Sequence, residues 1–167
     1  MPLRARACWD EAAQHHGVEA GLLYAIARVE SSLDPKAVNR SHLQRTGSYD
    51  IGLMQINSSH LQRLARHGIT EAQLFDPCTN IQVGAWLLAD AFARHGVTWN
   101  AVGAYNAACS QLQGEACSNA RAAYAWKVYR RLPGHTALGS GPEMPRRTAP
   151  PVVPADTPMR MAARVAP

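Results

Sequence analysis

The chain has 167 residues, 47% of them hydrophobic, with a formal charge of +5 and a pI near 9.3. That suffices for one domain with a real core and a tail, and it excludes an intrinsically disordered chain. No apolar run reaches the length of a membrane span, and the basic residues are scattered, so an anionic partner is favoured but nucleic acid only weakly.

Residues 1–7 are too short and too charged for a secretory leader, so the sequence reads as a mature form or one from which a leader has been removed. Cys8 to His16 reads as a short helix that stops at Gly17. Glu19 to Ser31 reads as a second helix. Leu23, Ile26 and Ala27 share one face by their spacing of three and four, and Glu30 falls on the same stripe. A carboxylate there is costly unless it is paired, hydrogen-bonded or neutralised. Two readings stay open: a helix-end glutamate that turns to solvent or pairs with an arginine, or a general acid held protonated by an apolar wall.

Leu33-Asp34-Pro35 then breaks the chain, and residues 34–50 form a polar, turn-rich loop of a length that is often functional. Gly52-Leu53-Met54-Gln55-Ile56-Asn57 is apolar but interrupted by amides. Asn57 or Ser58 can cap a helix that runs to His67. Phe75-Asp76-Pro77-Cys78 reads as a turn. Asn80 is placed to cap a long helix from Ile81 to His95, apolar nearly all round and therefore central. A short helix over Asn100–Asn106 and a last one over Ser118–Leu132 follow. From Pro133 the sequence is Pro-rich and lacks aromatic residues, which predicts a flexible tail over 133–167.

None of the four cysteines has the CxxC spacing of a zinc site. Cys109 and Cys117 bracket a polar segment and read as a disulfide-closed loop. Cys8 would then pair with Cys78, which implies an oxidising compartment; four free thiols are the alternative. The seven histidines include no HExxH, and His15-His16 read as surface residues, so no metal and no cofactor is expected. Trp86 and Trp126 read as core.

Four islands stand out: Glu30-Ser31, Gly52 to Asn57, Ala104-Tyr105-Asn106-Ala107, and Tyr124 in the last helix. In this order, separated by apolar helices, they resemble the lytic transglycosylases of the lysozyme-like superfamily. Cys8 to Ala12, Asn80 to Trp86 and Val102 to Asn106 resemble the small members that serve type III or type IV secretion or pilus assemblies. The resemblance spans residues 8–132. It implies a mostly α, lysozyme-like (goose-type/SLT) domain with a small irregular or β-containing loop region. It further implies a monomer in the periplasm or outside the cell, acting on peptidoglycan glycan strands, with components of a secretion or pilus system as possible partners.

The family uses one catalytic acid, and Glu30 stands at its place. The resemblance gives the others roles in substrate binding. Ser31 would orient the acid, or face solvent. Gln55 would bind a sugar hydroxyl or acetamide, or bridge loop backbone. Met54 would touch sugar or pack beneath the cleft. Tyr105 would bond the acid or the sugar, Asn106 would hold its loop, and Tyr124 would line the cleft near the acid or belong to the core.

The sequence departs from the family between Glu30 and Gly52, where the loop is longer, Tyr49 stands in place of a glycine and Asn39 in place of a serine. Asp50 is accordingly open: a turn residue bonding its own backbone, or a second carboxylate that would make the enzyme a hydrolytic lysozyme. A non-catalytic wall-binding assembly protein is a further alternative, against which the joint presence of Glu30, Gln55 and Tyr105 argues.

Overall fold

In the computed structural model the residues described are 3–109 and 112–134, with side chains from residue 7 onward. The tail expected over 133–167 lies outside the described residues, apart from Pro133 and Gly134. The architecture is mostly helical with one small sheet. The first helix, α1 (Leu3–His16), begins earlier than its sequence pattern indicates. The second, α2 (Ala20–Glu30), is capped by the Glu19 carboxylate, which accepts from the Leu22 amide at 2.6 Å. Leu23, Ile26 and Ala27 are fully buried, as the stripe predicts.

The long loop forms a three-stranded antiparallel sheet: β1 (Val38–Asn39), β2 (Asp50–Ile51) and β3 (Ile56–Asn57), in that order. Between β1 and β2 sits a single helical turn, α3 (Leu43–Thr46). Strands of two residues carry no readable alternation, so the sequence indicates an irregular loop here. The register pairs Val38 with Ile51 and Ile51 with Ile56, and Ile51 and Ile56 are buried on the core side. On the other face it aligns Asn39, Asp50 and Asn57.

After a short α4 (Leu61–Ala65), the central helix α5 (Pro77–His95) starts three residues before Asn80. Its cap is Asp76, whose carboxylate accepts from the Thr79 amide at 2.8 Å, with Pro77 in the first turn. Asn80 is therefore no cap. It is wholly buried and bonds three backbone groups outside its helix: the Met54 amide (2.7 Å), the Ile51 carbonyl (3.0 Å) and the Leu74 carbonyl (2.8 Å). Asn80→Ala removes three hydrogen bonds from a wholly buried site, so it is expected to cost about 3 kcal/mol or more. A fall in the urea midpoint at constant m-value checks this.

The last helices are α6 (Trp99–Asn106) and α7 (Gly114–Tyr129). A Cβ on Gly103 would lie 2.5 Å from the backbone oxygen of Arg121, so only glycine lets these helices cross so closely. Disulfides join Cys8 to Cys78, tying α1 to the start of α5, and Cys109 to Cys117.

Candidate active site

Glu30 is the last residue of α2, and the helix stops there abruptly. Ser31 caps it, and Ser32 and Leu33 both take left-handed backbone conformations at φ 57° and 69°. Two successive non-glycine residues in that region cost energy and mark a place that the surrounding packing must hold. Burial is the largest influence on Glu30 and pushes its carboxyl up from 4.5 to about 7. A hydrogen bond from Tyr124 opposes that shift, the negative charge of Asp50 adds to it, and Lys127 opposes it weakly. The Tyr124 hydroxyl reaches Glu30 Oε1 from α7 at 2.5 Å. Tyr124 keeps its proton, because burial and the adjacent carboxylate raise its own pKa well above 10. The arrangement is a carboxyl that keeps a substantial share of its proton up to about neutral pH, with one oxygen fixed by a neutral donor.

The turn between β2 and β3, residues 52–55, lies beside the acid and is anchored from three helices. Ser31 Oγ donates to the Leu53 carbonyl at 2.6 Å. Asn80 accepts from the Met54 amide, and the Tyr105 hydroxyl donates to the Met54 carbonyl at 2.9 Å. Gly52 stands at φ +74°, and a Cβ there would come within 2.6 Å of the Leu74 carbonyl oxygen. Gln55 is also left-handed, at φ 50°. Its amide nitrogen donates to the Gly52 carbonyl at 2.8 Å and the Ala37 carbonyl at 3.3 Å.

Several assignments from the sequence change accordingly. Ser31 ties the helix end to the turn and makes no hydrogen bond to the Glu30 carboxylate. Tyr105 bonds the turn's backbone and not the acid. Met54 has no exposed surface and fills the space over Gly84, so it supports the turn from beneath and cannot touch a sugar. Gln55 spends its amide donors on the loop, and its carbonyl oxygen is the part left for a ligand among the described residues. Tyr124 is both buried and at the acid, which joins its two readings. Asn106 is exposed at the end of α6, and no hydrogen bond holds its side chain among the described residues.

Asp50 does not bond its own backbone as a turn residue would. Its carboxylate accepts from Asn57 Nδ2 at 2.8 Å and from Asn39 Nδ2 at 3.4 Å, and His42 Nε2 lies 3.6 Å away. Sequence reasoning does not single out His42 or Lys127, and it reads Asn39 and Asn57 only as a departure from the family and a helix cap. The cross-strand register, which the sequence alone does not set, is what brings Asn39 and Asn57 to Asp50. Among the described residues no group of three or more His, Cys, Asp or Glu side chains could hold a metal ion.

Residues 7–127 match the family described as Transglycosylase SLT domain. The chain belongs to the transglycosylase SLT domain family. It is 46% identical over 134 residues to the invasion protein IagB of Salmonella typhimurium, a match that covers 78% of this chain and 79% of IagB. It is 39% identical over 125 residues to protein IpgF of Shigella flexneri, covering 74% of this chain and 78% of IpgF. Among solved structures, an inactive variant of the lytic transglycosylase Slt of Pseudomonas aeruginosa superposes with a TM-score of 0.59 at 23% identity. That match spans 78% of this chain and 23% of Slt, and it carries the fold. As an SLT-domain protein this is a lytic murein transglycosylase, an enzyme that acts on peptidoglycan.

Proposed function

We propose that residues 8–132 form the catalytic unit and cleave the β-1,4 bond between N-acetylmuramic acid and N-acetylglucosamine, leaving a 1,6-anhydro end. Glu30 first gives its proton to the glycosidic oxygen as the C1–O bond breaks. The substrate's own N-acetyl oxygen stabilises the cationic C1. The ionised Glu30 then takes the proton of the muramic 6-hydroxyl, and that oxygen closes onto C1. The acid is regenerated and no water enters. The observation that supports this reading is Glu30 itself: one carboxyl, walled by apolar residues and raised to about 7, can act as acid and then base near neutrality. Tyr124 holds the same oxygen through both half-steps.

The similarity to IagB, an invasion protein, supports a role in opening the wall locally for a secretion, conjugation or pilus apparatus. The two disulfides support a periplasmic or extracellular location. Among the described residues no helix is long and apolar enough to cross a membrane.

Mass spectrometry of digested sacculi tests the chemistry. Wild type should release muropeptides lighter by one water than hydrolytic products, and Glu30→Gln should release none. A second reading rests on Asp50, whose charge Glu30 feels and whose two amide partners hold it on the polar face of the sheet. If Asp50 positions a water, the products carry ordinary reducing ends. Under the transglycosylase reading Asp50→Asn keeps the anhydro product. Removing a negative charge lowers the pKa of Glu30, so the alkaline limb of kcat/KM moves to lower pH. A profile that does not move would show that Asp50 has no hold on the acid.

A further inference from the structure

Trp86 is only partly buried. Its remaining surface lines a groove of about 470 Å³ between the end of α1, the segment 64–69 and the first half of α5. Leu64, Ile69 and Val83 give the groove apolar walls, and His15, His16, His67 and Gln82 give it polar ones. None of these residues belongs to the site around Glu30. Three of the chain's seven histidines gather here without a metal-binding geometry.

We propose that this groove is a second saccharide-binding site, which takes a sugar unit of the glycan strand outside the cleft. The inference rests on the reading of peptidoglycan as substrate. Four observations favour a saccharide. The volume lies in the range of small-ligand sites. The walls are helices and a connecting turn, with no open strand edge to pair with an extended peptide. The groove also contains no carboxylate that would repel the lactyl and peptide carboxylates borne by the strand. Finally, an indole, an amide and imidazoles supply flat apolar surface beside paired donors and acceptors, which suits sugar faces and hydroxyls.

Several of the polar groups needed are unspent. Gln82 Oε1 meets His16 Nε2 at 3.2 Å, while the Gln82 amide nitrogen and the rings of His15 and His67 make no hydrogen bonds among the described residues. Burial, and then the charge of His15, keep the His16 pKa below its ordinary value, so at neutral pH its ring offers one donor and one acceptor. An isolated phosphate is a poor alternative. Arg63 stacks 3.9 Å above the Trp86 ring and lies 3.8 Å from Asp90, and no arginine or lysine lines the groove among the described residues. A site here would let the enzyme hold a strand at two points, which raises avidity for an extended polymer without any new contact in the cleft.

The test uses the full chain carrying Glu30→Gln, so that the ligand survives, titrated with a tetramer of β-1,4-linked N-acetylglucosamine in ¹H–¹⁵N NMR. The expected result is two separate groups of shifting signals, one near Gln55 and Tyr105 and one comprising the Gln82 side chain, the Trp86 indole and the residues around His67. His67→Ala with Gln82→Ala, in the same background, should erase the second group and leave the first. In otherwise wild-type protein that pair should reduce co-sedimentation with sacculi severalfold and leave turnover of short soluble fragments unchanged. Shifts confined to the cleft, or unchanged sedimentation, would overturn the groove site while leaving the catalytic reading intact. Groove shifts caused by free stem peptide and not by the sugar tetramer would overturn it in favour of peptide recognition. Groove shifts without any in the cleft would uphold this site and count against the cleft.

Discussion

Replacing Glu30 with Gln is expected to abolish glycan cleavage, by 10³-fold or more, while making the folded protein more stable above neutral pH. The first effect follows from the proposed role of Glu30 as the proton donor to the glycosidic oxygen; general acid catalysis alone is worth about 10²–10⁴. The second follows from linkage. Burial raises the Glu30 pKa from 4.5 to about 7, so between those values the folded state binds a proton that the unfolded state has lost. Stability due to this group therefore falls as pH rises through that window, and above about 7 the ionised, buried carboxylate is a standing cost. A shift of this size corresponds to about 3 kcal/mol, an upper figure because Glu30 is not fully buried. Glutamine cannot ionise and escapes the cost. Urea unfolding at pH 5 and pH 8 checks this: the two proteins should nearly coincide at the lower pH and differ by about 2–3 kcal/mol at the higher. Equal stability at both would mean that the acid is not held protonated by its surroundings.

Removing the Cys8–Cys78 bridge should be the most damaging change away from the acid. The bridge closes a loop with a sequence separation of 70, which contains α2, the sheet and the turn beside Glu30. Loop-closure entropy of that size is worth about 4 kcal/mol, against about 2–3 kcal/mol for the separation of 8 closed by Cys109–Cys117. Domains of this kind have a total stability of about 5–15 kcal/mol, so Cys8→Ser with Cys78→Ser should leave a protein close to its unfolding threshold. Chemical denaturation of each double serine variant gives the comparison. A loss below about 1 kcal/mol for the longer loop would show that packing of α1 on α5 suffices without the bond.

The legible part of this molecule is its helices and its acid. Glu30 draws notice because its position conflicts with the apolar stripe of Leu23, Ile26 and Ala27; the stripe leaves two readings open, the family resemblance puts the acid there, and the structure shows the carboxyl largely buried and its pKa raised. The illegible part depends on pairing between distant residues. Asn39, Asp50 and Asn57 share a face only because three two-residue strands adopt one register, and segments so short have no pattern to read. Asn80 looks like a helix cap because it stands before an apolar run, yet Asp76-Pro77 three residues earlier is the stronger signal. Its partners lie 6 to 29 residues away, beyond any local rule. Ser31 and Tyr105 fall beside the acid in the sequence-derived picture, but their hydroxyls go to the backbone of the 52–55 turn, because a turn with Gly52 and Gln55 in left-handed conformations must be held open from outside.

That turn has a kinetic consequence. A connection between two strands of two residues each would ordinarily exchange its amide hydrogens within seconds, through local fraying. The Met54 amide, however, is closed by a buried side chain of the central helix, and the carbonyls on either side of it are held from α2 and α6. Opening it requires the wholly buried Asn80 side chain to give up this bond while the flanking carbonyls are held. Its exchange should therefore be among the slowest in the protein, and loss of activity on heating should coincide with global unfolding, with no earlier step.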